Sequence, residues 1–274
     1  MKRMKKDLPD QIERALSGDQ SALESVIEEV KGLIYNLSLK MLLFPEDAED
    51  ATQEILVKMV THLSTFQRKS SFQTWVYRIA SNYLISEQSK RSHQAKRMSF
   101  EAYADQIDTG QSEVVMYTTN EGEISLLEEE VKVSCTHGLL HCLNPTNRLI
   151  YILGDIMDFN SVEAAEILDI TPASFRKQLS RSRDKVRNFL TAKCGLVNTG
   201  NPCRCKRKID FLIDQEMIVP KALRFAHHTN RSIDLMHKID LLDETLRVFR
   251  SVPALEAPEE VLNEVKQMIK STTF

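Results

Sequence analysis

Apolar residues recur three and four positions apart over most of this 274-residue chain, and that spacing is the helical one. Ala48, Ala51, Ile55, Met59 and Leu63 form one such stripe, and Phe72, Trp75, Val76, Ile79 and Tyr83 form another. Gly and Pro number only 8 each and β-branched runs are short, so the spacing predicts an all-α chain. Hydrophobic residues make up 42%, enough to build the cores of two small domains, with length for a third. No run of about 18 apolar residues occurs, so no membrane span is expected. The basic opening Met1-Lys2-Arg3-Met4-Lys5-Lys6 is not followed by the apolar stretch of a targeting signal, and a cytoplasmic location is expected. The five cysteines are odd in number, and in a reducing compartment they are expected to be free of disulfides.

Net charge is only −3, but it is strongly segregated. Between Met98 and Glu130 stand nine acidic residues and no basic one, whereas Thr171 to Lys193 carries seven basic residues and one acidic. Such a chain presents one surface suited to a polyanion and another that avoids or mimics it. Four parts are expected: a helical domain over 10–97, an acidic flexible linker over 98–125, a second helical domain over 126–193 and a helical extension over 194–274. Within the extension, helical patterns fall near 208–226, 230–250 and 258–270.

In the first domain, one helix is expected over about 20–43 and another from Pro45, whose fixed φ suits a first turn. Glu46 and Asp47 follow, favoured at the positive end of the helix dipole. Asp47, Asp50 and Glu54 share a face of that second helix, which on charge alone is a solvated acidic face. A third helix is expected from Phe72 to Lys90. Its aromatics are interleaved with or followed by Lys69, Arg78, Lys90, Arg91, Lys96 and Arg97. Rings that stack on bases beside cations that hold phosphates can grip a single strand; core aromatics with exposed cations are the plainer reading.

In the second domain, Ser161 to Leu168 reads as a short amphipathic helix and Asp169-Ile170 as a turn. Thr171 can cap the next helix, with Pro172 at its first position. That helix carries Ser174, Phe175, Arg176, Lys177, Gln178, Ser180, Arg181 and Arg183. A short helix, a tight turn and a basic second helix make the layout of a helix-turn-helix, in which the second helix enters the major groove. An ordinary helical hairpin with a basic face is the alternative. There is no glycine-rich phosphate loop, nucleophile elbow or metal-hydrolase spacing. His62, His93, His137 and His141 stand apart without a partner pattern, so the chain is not expected to be an enzyme.

Three segments resemble those of bacterial RNA polymerase sigma factors of the extracytoplasmic-function (ECF) type. Asp47-Ala48-Glu49-Asp50-Ala51-Thr52-Gln53-Glu54 is similar to the part of region two that docks on the polymerase clamp helices. Phe72-Gln73-Thr74-Trp75-Val76-Tyr77-Arg78-Ile79-Ala80-Ser81-Asn82 resembles the segment that melts and reads the minus-ten element. Leu143-Asn144-Pro145 through Arg183 resembles region four, which reads the minus-thirty-five element as duplex. The resemblance implies polymerase contacts at Asp47, Asp50, Gln53 and Glu54. It implies minus-ten contacts at Phe72, Trp75, Arg78, Asn82, Lys90 and Arg91. It implies minus-thirty-five contacts at Thr171, Ser174, Phe175, Arg176, Lys177, Arg181 and Arg183. Core RNA polymerase and promoter DNA are the partners so implied, with an anti-sigma factor as a further one, and no cofactor is required. Two departures bear on base preference: Ala164 stands where a larger aliphatic is common, and Ala173-Ser174-Phe175-Arg176-Lys177-Gln178 differs from the common Thr-Val-Lys-Ser pattern. A helix-turn-helix regulator without polymerase-subunit activity is the alternative function.

The extension brings Cys194, Cys203 and Cys205, with His227, His228 and His237 further on. Three cysteines near histidines suit a thiolate-rich metal site, zinc being the best fit, or a redox-sensing thiol pair. The C-x-C pair with one distant cysteine departs from the C-x2-C finger spacing, and incidental cysteines beside a basic turn are the plainer reading. Arg204, Lys206, Arg207 and Lys208 are expected to lower the thiol pKa values. By analogy with extensions in other ECF groups, the segment is expected to be autoregulatory.

Overall fold

The fold was analysed on a computed structural model, which describes residues 7–92, 98–225, 244–250 and 254–271. Among the described residues every regular element is a helix, and the sole backbone bridge outside helices joins Cys194 and Cys203. The chain is therefore all-α, as its periodicity predicts. It divides into two compact units, one within 1–94, 152–177 and 254–274, the other within 95–151 and 178–253. These units do not follow the four linear parts expected from sequence.

The first unit is built on α2 (Gln20–Leu42), flanked by α1 (Leu8–Leu16), α3 (Pro45–Thr61) and α4 (Phe72–Ser92). The starts are locally encoded. The Asp19 carboxylate accepts the Ala22 amide at 3.1 Å, satisfying one of the orphan donors of a helix N-terminus. Leu43, at φ +80°, ends α2, and Pro45 starts α3 two residues later. Val26, Ile27, Val30, Ile34 and Leu37 of α2 are buried with Ile55, Leu56 and Met59 of α3 and Val76, Ala80 and Leu84 of α4. The same unit contains α8 (Ser161–Leu168), which packs against α4, and the start of α9 (Pro172–Lys193). It also contains α12 (Glu259–Ser271), which packs on α3 and α2.

The second unit holds α5 (Phe100–Asp108), α6 (Glu121–His141), α7 (Pro145–Tyr151), the rest of α9, α10 (Ile209–Asp214) and α11 (Glu244–Arg250). Within the stretch read from sequence as an acidic linker, one helix is packed and the rest is irregular. Ser99 caps α5 by accepting the Ala102 amide at 3.1 Å, and Tyr103 and Ile107 are buried. The Tyr103 hydroxyl donates to the Cys135 carbonyl at 2.8 Å and its ring stacks on Phe189 at 5.7 Å. Gly138 permits that approach, because a Cβ there would stand 2.7 Å from the Tyr103 hydroxyl. Beyond α5 the chain is irregular but tied down. The Asp210 carboxylate accepts the amides of Met116 at 2.8 Å and Tyr117 at 3.0 Å, and Arg207 pairs with Glu113 at 2.6 Å. Val115 enters a small core with Ile124, Leu127, Val131, Ile209 and Ile218.

The pattern near 208–226 yields only the short α10; the chain after it turns, and the buried Glu130 carboxylate accepts the amides of Arg224 at 2.9 Å and Phe225 at 2.8 Å. Of the pattern near 230–250 the described part is α11, and the pattern near 258–270 is α12. No described helix is long and apolar enough to cross a membrane.

Candidate nucleic-acid and polymerase interface

On α3 the buried positions Ala48, Ala51, Thr52, Ile55, Leu56 and Met59 face the core. Asp50 and Glu54 are exposed, while Asp47 and Gln53 are half-buried. The four residues singled out for polymerase contact therefore lie outside the core on one helix. Glu49 has its carboxyl pKa raised, first by burial and then by the charges of Glu46, Glu260 and Asp50. The helix is thus strongly anionic on that side, and a cationic surface gains by approaching it.

The start of α4 forms an aromatic cluster. Phe72 and Trp75 stack at 5.5 Å, and Phe66 contacts Phe72 at 5.2 Å and Trp75 at 5.5 Å. Phe72, expected from sequence to contact DNA, is buried with its ring against Trp75, which is half-exposed. Phe66 was missed by sequence reasoning. It sits in the turn after α3, where helical periodicity is silent, but its proximity to Arg68 and Lys69 is the same aromatic-with-cation signal read on α4. Arg78 and Asn82 are exposed one turn apart. Arg78 is not idle: its Nε and Nη2 donate to the Glu166 carbonyl at the end of α8, at 3.1 and 2.5 Å. Lys90 and Arg91 fall in the last turn of α4 with side chains outside the described residues, as are Lys96 and Arg97 altogether.

The helix-turn-helix is as the sequence layout predicts. The Asn160 side chain accepts the Val162 and Glu163 amides at 2.9 and 3.1 Å, and Glu163 reaches back to the Asn160 amide, closing a capping box on α8. Asp169 adopts φ +53° and ends the helix, a left-handed residue of the kind Asp tolerates. The Thr171 hydroxyl accepts the Ser174 amide at 3.1 Å. It thereby caps α9, and Thr171 is exposed.

Arg176, Lys177, Arg181 and Arg183 are exposed on α9, Ser174 is half-exposed, and Arg176 also donates to the Ser161 hydroxyl at 3.1 Å. Phe175, expected from sequence to contact bases, is 1% exposed. It begins the stripe of Leu179, Ser182 and Val186, all buried. A cationic helix whose other face is fixed by burial can lay its charges along a phosphate backbone.

Cys194, Cys203 and Cys205 are free thiols, each half-buried. Burial raises the pKa of Cys203 and Cys205, with the neighbouring cysteines adding to it, and pushes the Cys135 thiol up to about 12. The expected lowering by the basic turn is thus outweighed: a thiolate loses more by leaving water than Arg204 or Lys208 returns. Among the described residues no three His, Cys, Asp or Glu side chains are placed to hold one metal ion. His227, His228 and His237 lie outside the described residues.

The Sigma-70 region 2 family model matches residues 26–94, which takes in most of α2, all of α3 and α4 and the aromatic cluster. The chain is 27% identical over 184 residues to the ECF RNA polymerase sigma factor SigW of Bacillus subtilis, covering 65% of this chain and 94% of that protein. It is 27% identical over 191 residues to the ECF RNA polymerase sigma-E factor of Haemophilus influenzae, covering 68% and 97%. It is 26% identical over 192 residues to the Escherichia coli (strain K12) protein of that name, covering 68% and 96%.

Proposed function

We propose that the chain is an ECF-type RNA polymerase sigma factor that directs promoter-specific transcription, a reading supported by the region 2 match and the ECF relatives, and that its residues divide the work between polymerase and promoter. Core polymerase docks on the acid face of α3 through Asp47, Asp50, Gln53 and Glu54. Trp75, supported by Phe66 and Phe72, stacks on bases of the melted minus-ten strand, while Arg78 and Asn82 hold it. Arg78 must first give up the Glu166 carbonyl, so use of α4 on DNA is coupled to release of α8. Arg176, Lys177, Arg181 and Arg183 meet the minus-thirty-five duplex, with Ser174 at the base edges. The work is done beside polymerase in the cytoplasm, without catalysis and without a required cofactor.

The observation that carries this reading is the region 2 match over 26–94 followed downstream by the doubly capped helix-turn-helix of α8 and α9. A plain helix-turn-helix regulator would need neither the acid face nor the ring cluster. Reversing two exposed acids, Asp50→Lys with Glu54→Lys, tests the polymerase assignment. Like charges set against a complementary surface cost several kcal/mol, so retention on core polymerase is expected to weaken by at least about tenfold while thermal melting is unchanged. Unaltered retention would move the docking face elsewhere.

A further inference from the structure

Residues 254–271 do not stay with the rest of the extension; they belong to the first unit, on the helices matched by the region 2 model. The attachment is specific. Asn36, on α2 and 7% exposed, donates from Nδ2 to the Leu255 carbonyl at 2.7 Å and accepts the Leu255 amide on Oδ1 at 2.8 Å. One buried side-chain amide thus pairs with both the backbone N–H and the backbone C=O of a residue 219 positions away. A third bond, from Nδ2 to the Gly32 carbonyl at 2.8 Å, fixes the amide on its own helix. Beyond this anchor, Leu255, Ala257, Val261, Leu262 and Val265 are all buried, and α12 lies on α3 and α2. Lys266 reaches Glu28 at 3.7 Å.

Where α12 meets α3 the chemistry is unfavourable. Glu260 raises the pKa of Glu49, whose carboxylate is already half-removed from water. Glu49 and Gln53 are four residues apart and so share a flank of α3. The tail therefore lies against the edge of the face proposed above for core polymerase. Its departure would return Glu49 to solvent and clear that flank for a cationic surface. An occupant held by apolar contacts, one side-chain amide and one part-exposed ion pair, but opposed by like charge where it meets α3, is one that a better-matched partner can displace.

We infer that the segment 254–271 is an intramolecular mask, and that core polymerase and this tail compete for the α2–α3 surface around Asn36. The inference rests on the reading of α3 as the polymerase face. Binding is then reduced by the fraction of chain that is unmasked, so a mask closed nine-tenths of the time lowers apparent affinity about tenfold.

The experiment has three arms. A chain ending at Pro253 is expected to bind core polymerase about tenfold more tightly than the full chain. A labelled peptide of residues 254–274 is expected to bind that truncated chain and to restore the weaker affinity; the same peptide with Val261→Asp and Val265→Asp is expected to do neither. In the full chain, amide hydrogen exchange in 254–271 is expected to accelerate when core polymerase binds, a readout that needs no truncated protein to fold. A peptide that does not bind a folded truncated chain, or binds without changing polymerase affinity, overturns the mask, as does a tail equally protected in the complex. If neither full nor truncated chain binds polymerase while the peptide still docks, the polymerase reading itself falls and the competition with it.

Discussion

Replacing Phe175 by alanine is expected to destabilise the protein by about 3–5 kcal/mol, the range for deleting a buried phenylalanine ring. Phe175 is among the largest fully buried side chains, and its amide bonds to the Thr171 carbonyl at 3.0 Å in the first turn of α9. The ring lies in the same unit as the buried Ala164, Ala165 and Ile167 of α8, in the first turn of the helix that follows the Asp169–Thr171 turn. Domains of this size hold on the order of 5–15 kcal/mol, so a large share of the stability is at stake. Urea melts should show a lower midpoint with little change in slope. Duplex binding should fall with the folded fraction, and Phe175→Leu should recover much of both. A variant that melts like the parent but no longer binds duplex would instead make Phe175 a reader of bases.

The opposite signature is expected when Arg176, Lys177 and Arg181 are all changed to alanine. These side chains are exposed, the Arg176 bond to the Ser161 hydroxyl is an exposed one, and surface substitutions usually fall within about 0.5 kcal/mol each. Melting should therefore hardly move. Each cation lost from a phosphate removes about 0.9 from the slope of log affinity against log salt, so the triple variant should flatten it by about 2.7. If even one or two of the three also pair with a base edge, at about 1–3 kcal/mol per good contact, affinity for the upstream duplex should drop about a hundredfold at moderate salt. Measurement on the full chain bound to core polymerase keeps the DNA in its working geometry. An unchanged salt slope would show that α9 does not lie along the backbone.

Much of this was legible because the signals are local. Pro45, Phe72, Asp169 and the Thr171-Pro172 pair mark helix ends through cap and turn chemistry that acts within four residues, and α3, α4, α8 and α9 begin where those residues place them. What failed was any property decided by distant packing. Phe175 sits in a basic stretch, and its burial with Leu179, Ser182 and Val186 is set by packing that the neighbouring cations do not announce. The helix α5 has only Tyr103 and Ile107 on its buried side, too short a pattern to stand out among acids. The thiols near Arg204 and Lys208 were expected to ionise more readily, but the depth of Cys203 and Cys205 cannot be seen from their neighbours in sequence. The Asn36–Leu255 pair spans 219 residues, and no local pattern announces it.

The central claim is that this chain starts transcription at promoters, and run-off synthesis with core RNA polymerase tests it most directly. A template carrying the region upstream of the chain's own gene is the first to use. The full chain is expected to produce a discrete transcript that core polymerase alone does not make, and Trp75→Ala is expected to abolish it while still binding polymerase. A chain that leaves core polymerase silent, both in full and with residues 254–274 removed, would contradict the account and return α8 and α9 to a regulator that works without polymerase.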